Sequence, residues 1–424
     1  MRSNIMKISG FLLLHCVVMV NVAAGQTQVR RITLDEAVQL FNQNNLELEM
    51  SRSAARQVAG AAKQTRAYPN PIASVTHESV SNQGLDFSET YYMLTQPIDW
   101  PWRYSDRRKA GSRRADAAIA ELKADSAQLV FELKRAYVEA AAAEAVWELV
   151  DQVTTVFRDA DQSGTARLAE GDISSFDLKR IRIERARYEQ LLMEIELELA
   201  RLRRELTALT VPADEGLELA PVGPLAGDPP SLSVEPLLSQ ALTYRGEIAA
   251  ATASVAAAQA TISVAKWARL PDMALTGGYT RKSDGFDGLF LGLAIPLPLW
   301  DWRGGDIAAA EAREEAAEAQ EQLARIHVTN DVRNATQNYT ALESRAALIG
   351  DELLSDVDDL LDVASLSYQE GELSLLEVLD AARAYSDAGV TQTQLRAAYW
   401  IAYYDLERAV GGFVADDGRM QENR

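Results

Sequence analysis

Three histidines and one cysteine are the side chains in this 424-residue chain that most readily supply nucleophiles, bases or metal ligands. His15 and Cys16 lie near the N-terminus, whereas His77 and His327 each stand alone in the sequence. A metal or hydrolytic site needs several such groups together, but here the carboxylates are scattered along predicted helix faces. The sequence therefore predicts no catalytic residues, no cofactor and no metal site, and it indicates that the chain is not an enzyme.

The first 25 residues have the three-part pattern of a secretory signal peptide. Arg2 and Lys7 make the start basic, an apolar stretch follows at 11–20, and Ala23-Ala24-Gly25 supplies small residues for cleavage. The apolar stretch is too short for a membrane-spanning helix. We therefore expect residues 1–25 to be removed from the mature chain.

Cys16, the only cysteine, is a candidate for lipid attachment. The bulky His15 stands where such sites normally hold Gly or Ala, so removal of Cys16 with the signal peptide is the favoured alternative. The mature chain then has no cysteine and no disulfide bond. Loss of Arg2 and Lys7 takes the net charge from −20 to −22, and so acidic a chain is expected to avoid nucleic acid and anionic membrane surfaces. The charge indicates either solubility alone or a surface that favours cations.

Thirteen prolines predict where helices can run. Proline in a helix interior costs about 3 kcal/mol. Four spans contain none and are therefore free to be helical, namely 33–67, 102–209, 237–270 and 299–424. We expect breaks near Gly164 and Gly171 and at the matching Gly371. Each half then keeps one helix of about 60 residues, roughly 90 Å long, which is typical of a coiled coil, a fibre or a tube.

The chain repeats its own pattern in two halves. Leu168-Ala-Glu-Gly-Asp-Ile-Ser174 returns as Tyr368-Gln-Glu-Gly-Glu-Leu-Ser374, and Trp102-Arg103 returns as Trp302-Arg303. So long a period implies duplication of a half-protein rather than a solenoid, and we predict a mainly α-helical chain with a small transmembrane β part. The predicted boundaries are signal peptide 1–25; first repeat 26–210, with helix 33–67, strands 72–80 and 89–98, long helix 103–162 and helix 172–209; linker 211–233; second repeat 234–411, with helix 235–269, strands 273–282 and 289–297, long helix 303–365 and helix 372–411; and polar tail 412–424.

Each half contains one predicted hairpin. Its strands of about nine to eleven residues alternate apolar with small or polar side chains, which fits a tilted membrane strand. Four tryptophans lie at equivalent hairpin exits and are interpreted as a girdle at the membrane interface: Trp100, Trp102, Trp300 and Trp302. A soluble antiparallel sheet with one wet face is the alternative. Four strands cannot close a barrel and open edges cannot face lipid, so either several chains share one barrel or the hairpins do not span the membrane. Three chains would give twelve strands around a water-filled lumen, above a barrel of long helices.

Five sequence motifs, in order, resemble one protein family. They are Leu34-Asp-Glu-Ala-Val, Tyr68-Pro-Asn-Pro71, Thr95-Gln-Pro-Ile98, Glu370-Gly371-Glu372 and Leu375-Leu-Glu-Val-Leu-Asp380. Together with the duplicated layout they resemble the TolC-type outer-membrane efflux factors, over essentially the whole mature length. The Pro-Asn-Pro start is most similar to the heavy-metal efflux (CzcC/CusC-like) branch.

The resemblance implies a homotrimer with a 12-stranded barrel in the outer membrane and a periplasmic α-helical tunnel that narrows at its tip. Residues carried over to that tip by position are Tyr368, Gly371, Glu377 and Asp380, with Asp177 as the equivalent of Glu377 in the first repeat. Acidic side chains there would form a ring that attracts cations. The turns at 162–174 and 362–374, with Gly171 and Gly371, are the expected docking points for an adaptor protein.

The resemblance also implies the function and the partners. We expect a passive exit duct for metal ions or small toxic compounds in the outer membrane of a Gram-negative bacterium. Its partners would be a periplasmic adaptor, an inner-membrane transporter, with the RND type favoured, and outer-membrane lipid, but no nucleic acid. The alternatives are a type I secretion exit for polypeptides and a soluble periplasmic coiled-coil scaffold.

Overall fold

The computed structural model of this chain describes residues 28–82, 85–212, 216–222, 228–230, 236–348, 351–370 and 372–412. The predicted signal peptide with Cys16, the tip residue Gly371 and the predicted tail beyond residue 412 lie outside these ranges. Within them the chain is mainly helical with a small β part, so this much of the predicted fold class is confirmed.

The first half of the chain runs from a short strand through two helices into a hairpin and then into very long helices. Its elements are β1 (Gln28–Ile32), α1 (Leu34–Asn44), α2 (Leu46–Gln64), β2 (Ile72–Asn82), β3 (Leu85–Ile98), α3 (Pro101–Glu170), α4 (Ser175–Thr210) and β4 (Leu217–Pro221). The predicted helix 33–67 is in fact two helices. Asn45 separates them because its side chain accepts a hydrogen bond from the Leu48 N–H, at 2.8 Å, and so begins α2.

The second half has the same order of helices, hairpin and long helices. Its elements are α5 (Leu237–Tyr244), α6 (Gly246–Trp267), β5 (Met273–Lys282), β6 (Asp287–Ala294), α7 (Gly304–Leu348), α8 (Asp351–Glu370) and α9 (Leu375–Val410). The predicted helix 235–269 divides at Arg245, and the predicted helix 303–365 corresponds to α7 and α8. Strand β6 ends before the predicted residue 297 because Pro296 and Pro298 have no N–H for a strand partner.

Helix α3 has 70 residues and does not break near Gly164 as predicted. Gly164 is buried inside the helix, and a Cβ added there would lie 3.2 Å from Ile181 Cδ1, so the glycine allows α4 to pack closely. The helix ends at Gly171, whose φ of +88° is left-handed and suits glycine. The Asp172 N–H closes the turn by donating to the Arg167 carbonyl at 2.9 Å.

Four strands form one antiparallel sheet in the order β2-β3-β5-β6. Within one chain this sheet is open, with β2 and β6 at its edges. A second, parallel pair joins β1 to β4, with Gln28 opposite Leu217. The sequence analysis missed this pair, because β4 lies inside the Pro- and Gly-rich predicted linker 211–233. The burial of Ile32 and Leu219 stabilises it.

The helices near the four-stranded sheet keep the order of its strands. Helix α2 precedes β2, β3 continues into α3, α6 precedes β5, and β6 leads into α7. Neighbouring contacts run α2–α3, α3–α6 and α6–α7, so the sheet passes into a helical layer with the same neighbours. Among the described helices, α6 alone is long and apolar enough to cross a membrane by length and composition. It lies between α3 and α7, and we interpret it as part of this layer.

We predict that Gly246→Ala destabilises the layer. A Cβ at residue 246 would lie 2.8 Å from the backbone nitrogen of Ala124 in α3, and a backbone atom cannot move aside as a side-chain tip can. The expected loss of unfolding free energy is about 1–3 kcal/mol. Gly60→Ala in α2 is the matched control, because no atom lies within 4 Å of its added Cβ. The control should gain about 0.5–1 kcal/mol of helix propensity. Chemical unfolding of the purified protein checks both, and equal stability of the two variants would contradict the close approach.

Candidate functional site

The two faces of the four-stranded sheet differ in chemistry. Residues directly opposite one another in the antiparallel register share a face. The apolar sheet face carries Val75, Tyr92, Leu94, Leu275, Tyr279, Leu289, Leu291 and Leu293. The other, which we call the threonine face, carries Ser74, Thr76, Thr95, Thr276 and Thr280 with Gly278, Gly288 and Gly292, besides Tyr91, Met93 and Phe290. On it the hydroxyls of Thr95 and Thr276 are 2.9 Å apart.

The apolar sheet face is open to its surroundings. The exposed fraction is 91% for Leu289 and 78% for Leu291. A water-soluble sheet normally buries such a face against a second layer of helices or strands. This face therefore requires an apolar partner from outside the chain.

An uncharged band crosses the sheet, and charged residues lie beyond it at both ends of the strands. At the hairpin end, Glu78, Glu89 and Lys282 are opposite one another on β2, β3 and β5, and Arg281 is opposite Asp287. Residues 90–98 of β3 and 273–280 of β5 then contain no charged side chain. Charge returns with aspartates where the strands meet the helices. About nine residues at 3.3 Å each, tilted by roughly 40°, match the apolar band of about 25 Å in membrane barrels.

The predicted tryptophan girdle lies at the helical end of this band, but its two halves differ. Trp100 stacks on Trp102 with ring centroids 5.1 Å apart, and Trp102 also contacts Trp267 at 5.7 Å. Trp300 and Trp302, in contrast, are 91% and 61% exposed. Trp267 could not be assigned to this group from the sequence, because its position beside Trp102 depends on the packing of α6 against α3.

A buried carboxylate joins the sheet to α3. The side chain of Asp99 is 4% exposed, and its Oδ2 lies 2.7 Å from Arg107 Nη2. Arg103 also pairs with Asp99, at 3.6 Å, and reaches Asp272 at the start of β5, at 2.5 Å. In the second half the equivalent Arg303 is exposed, with a positive φ of 56°. The four-residue spacing of Asp99 and Arg103 is a local signal for one of these ion pairs, whereas Asp272 could not be assigned because it lies 169 residues from Arg103.

The predicted tip acids Asp177 and Glu377 both sit at the third position of a helix. In each case the acid forms a reciprocal capping box with the serine three residues before it, Ser174 for α4 and Ser374 for α9. Hydrogen bonds from the Ser374 hydroxyl and, next, from its backbone N–H hold the pKa of Glu377 below its ordinary value. Asp380 is exposed on the following turn. Asp177 and Glu377 therefore have a structural role in beginning the helices, and a role of the three acids in an acidic ring stays a prediction.

The structure buries the predicted tip residue Tyr368 rather than exposing it. Its side chain is 4% exposed, and burial raises the pKa of its hydroxyl. The guanidinium of Arg167 lies over the Tyr368 ring, 5.2 Å from its centroid, and Arg167 Nη1 donates to the Tyr368 carbonyl at 3.0 Å. The ends of α3 and α8 are thus held together. Sequence position alone did not identify Arg167 as the partner.

Interhelical ion pairs behind the tip turns were also missed by the sequence analysis. Asp161 of α3 accepts from Arg182 at 2.8 Å and from Arg185 at 2.6 Å, both on α4. Glu184 of α4 pairs with Arg383 of α9. A charged residue on a helix does not reveal from sequence which neighbouring helix it faces, so these pairs required the structure.

Potential metal-ligating side chains are not clustered in the described part of the chain. Over the residues that the structure describes, no group of three or more His, Cys, Asp or Glu side chains is placed to hold a metal ion. His77 Nδ1 lies 2.9 Å from Thr90 Oγ1 in the neighbouring strand. His327 lines an open groove of about 500 Å³ beside Arg245, Glu247 and Asp331.

Comparison with known proteins gives the same family as the sequence motifs. Residues 237–412 match the model of the outer membrane efflux protein family. The cobalt-zinc-cadmium resistance protein CzcC of Cupriavidus metallidurans is 23% identical over 381 residues, covering 90% of each chain. The predicted resemblance is thereby confirmed: the chain is similar to the outer membrane efflux protein family over residues 237–412 and to CzcC over most of its length.

Solved structures show the same fold. A crystal structure of CusC superimposes with a TM-score of 0.72 at 19% identity and covers 90% of this chain and 92% of its own. The CmeC outer membrane channel of Campylobacter jejuni gives a TM-score of 0.75 at 18% identity, covering 89% of this chain and 85% of its own.

Tyr368→Phe should leave the protein equally or more stable. The Tyr368 hydroxyl is buried with no hydrogen-bond partner among the described residues, so its removal relieves an unsatisfied polar group. Tyr368→Ala should instead cost about 3–5 kcal/mol, because it also removes the ring that Arg167 covers. Thermal unfolding of both variants measures the difference. Marked destabilisation by Phe would show that the hydroxyl has a partner outside one chain.

The start of α9 should loosen in acid. Because the folded pKa of Glu377 is lowered, its contribution to stability is present above the ordinary carboxyl pKa and is lost as pH falls through the folded pKa. Hydrogen exchange at 375–379, corrected for intrinsic rates, should show that pH-dependent loss. Glu377→Gln should remove most of the pH dependence, while Asp380→Gln should keep it. Identical profiles for wild type and Glu377→Gln would contradict the capping role.

Proposed function

We propose that this chain is the outer-membrane exit duct of a tripartite efflux pump. The observation that carries the proposal is the apolar sheet face, which is exposed along an uncharged band and backed by the threonine face. Lipid on one side and a water-filled lumen on the other satisfy both faces at once. A soluble periplasmic scaffold leaves the apolar sheet face without a partner.

The open sheet edges require further copies of the chain. In lipid, each unpaired backbone N–H or C=O at β2 or β6 costs several kcal/mol, so the edges must pair with neighbouring protomers. Three copies give twelve strands, enough to leave a water-filled lumen. Because the helical layer keeps the strand order, the same symmetry continues it into a tunnel of long helices on the periplasmic side.

The tip turns supply the surface for a periplasmic adaptor. Phe176 and Leu376 occupy equivalent positions in the first turns of α4 and α9, and they are 70% and 49% exposed. Apolar side chains held outward on capped helices are suited to a helical partner. The adaptor in turn links the duct to an inner-membrane transporter, which supplies the energy.

The substrates we propose are metal ions or small toxic compounds. The relative CzcC is named for cobalt, zinc and cadmium resistance. The acidic balance of this chain, with a formal charge of −20, suits the passage of cations through a wide lumen. Substrate choice would lie mainly with the inner-membrane transporter.

A pair of arginine substitutions on one strand tests the membrane face. Leu275→Arg places a charge on the apolar sheet face, and Thr276→Arg places it on the threonine face of the same strand. A lipid-facing arginine costs up to about 2–4 kcal/mol, depending on its depth, whereas a lumen-facing one costs little. We expect Leu275→Arg to lower the yield of membrane-inserted trimer and Thr276→Arg to retain it. Equal yields, or the reverse order, would overturn the assignment of the faces.

Efflux itself is measured by metal tolerance in a strain that lacks the gene but keeps its transporter and adaptor. The wild-type chain should restore tolerance to cobalt, zinc or cadmium. Phe176→Asp with Leu376→Asp should abolish it at unchanged trimer level, because the docking surface becomes charged. The exposed Leu197→Asp, at the middle of α4, is the control and should restore tolerance. Full activity of the tip variant would rule out docking at these two residues.

A further inference from the structure

We infer that a basic collar below the sheet, comprising Lys63, Arg66, Arg108, Lys109 and Arg269, binds the anionic headgroups of the phospholipid leaflet that adjoins the helices. The inference rests on the proposed membrane function and adds a lipid class to it. All five side chains are exposed, and none pairs with a carboxylate of the described residues.

The collar residues lie at one level of the molecule, although they come from α3 and from the ends of α2 and α6 with the turns that follow them. The Tyr104 hydroxyl of α3 donates to the Arg66 carbonyl at 2.7 Å, which places the end of α2 beside the first turn of α3. Trp267 Nε1 donates to Asp106 at 2.8 Å, which places the end of α6 at the same height. Residues 104–109 of α3 rise only about 8 Å, so the collar is a narrow belt.

The local charge is opposite to that of the whole chain. Residues 99–116 contain six Lys and Arg against three Asp, and residues 60–70 contain two basic side chains and no acidic one. At the other end of the sheet the balance reverses, with Glu78, Glu89 and Asp287 among its charges. At this belt we therefore expect attraction to anionic lipid although the whole chain is acidic, because the position of charge rather than its sum decides local attraction.

The collar adjoins the aromatic residues that mark the edge of the uncharged band. Arg269 Nε donates to the Trp302 carbonyl at 3.2 Å. Lys109 lies two helical turns after Trp102, hence on the same side of α3. Rings at the acyl boundary with arginine and lysine just beyond them place the cations at the depth of lipid phosphates. Anionic headgroups near such a surface are attracted by each cationic side chain.

Tryptophan fluorescence gives a direct test, because five of the seven tryptophans lie at this level. The full-length protein is reconstituted into vesicles, and quenching by brominated phosphatidylglycerol is compared with quenching by brominated phosphatidylcholine. We expect relative binding to favour the anionic lipid several-fold in low salt and to fall as salt is added. Arg108→Gln with Lys109→Gln should remove most of the preference. Arg204→Gln with Arg345→Gln, two exposed arginines far from the sheet, should keep it.

The outcomes separate the two proposals. If both lipids quench the fluorescence and bind equally well, the collar is overturned and the proposed membrane function is retained. Absence of quenching by either lipid, with the protein outside the vesicles, overturns the membrane function and the collar together. The collar is also overturned if the preference for anionic lipid is retained in both double variants. These are Arg108→Gln with Lys109→Gln, and Arg66→Gln with Arg269→Gln.

Discussion

Backbone hydrogen bonding at the two edge strands is the constraint on which the rest of this structure depends. The sheet has only four strands per chain, and β2 and β6 keep unpaired edges. In water such edges would be hydrated, but the exposed leucines of β6 place them against lipid, where unpaired N–H and C=O groups are too costly. In the function we propose, the same strands therefore require both a membrane and further copies of the chain.

The helices below the sheet pack closely against one another in the same order as its strands. They do so with small residues at the points of closest approach. Gly246 lies against the Ala124 backbone, and Gly111 lies against Thr65. Near the tip, beside the apolar cluster that includes Phe157 and Tyr188, charged contacts such as Asp161 with Arg182 add orientation between α3 and α4. Close packing and fixed ion pairs are suited to a layer of long helices that has water on both sides.

Much of the layout could be predicted because single residues decide it locally. The positions of the prolines limit where helices can run. The alternation of side chains along β5 predicted its bounds at 273–282. Features that depend on distant segments could not be predicted in this way. Strand β4 needs β1 as its partner, Asp272 meets Arg103 across a separation of 169 residues, and Tyr368 is buried only because α3 and α9 pack on it. Gly164 misled the prediction, since glycine inside a helix marks close packing as readily as a break. The tip acids illustrate a further limit, because a position carried over from a family does not reveal that Glu377 caps its own helix.

Disulfide cross-linking between the two sheet edges tests the central claim most directly. In a Cys16→Ser chain, Val75→Cys on β2 is combined in turn with Leu289→Cys, Leu291→Cys or Leu293→Cys on β6. Within one chain these edges are separated by two strands, about 14 Å, which is beyond the reach of a disulfide. After oxidation in outer membranes, at least one pair should give covalent dimers and trimers and nothing larger, as a closed ring of three requires. A barrel shared between chains would be contradicted if every cysteine pair gave only monomers and if carbonate released the protein from the membrane.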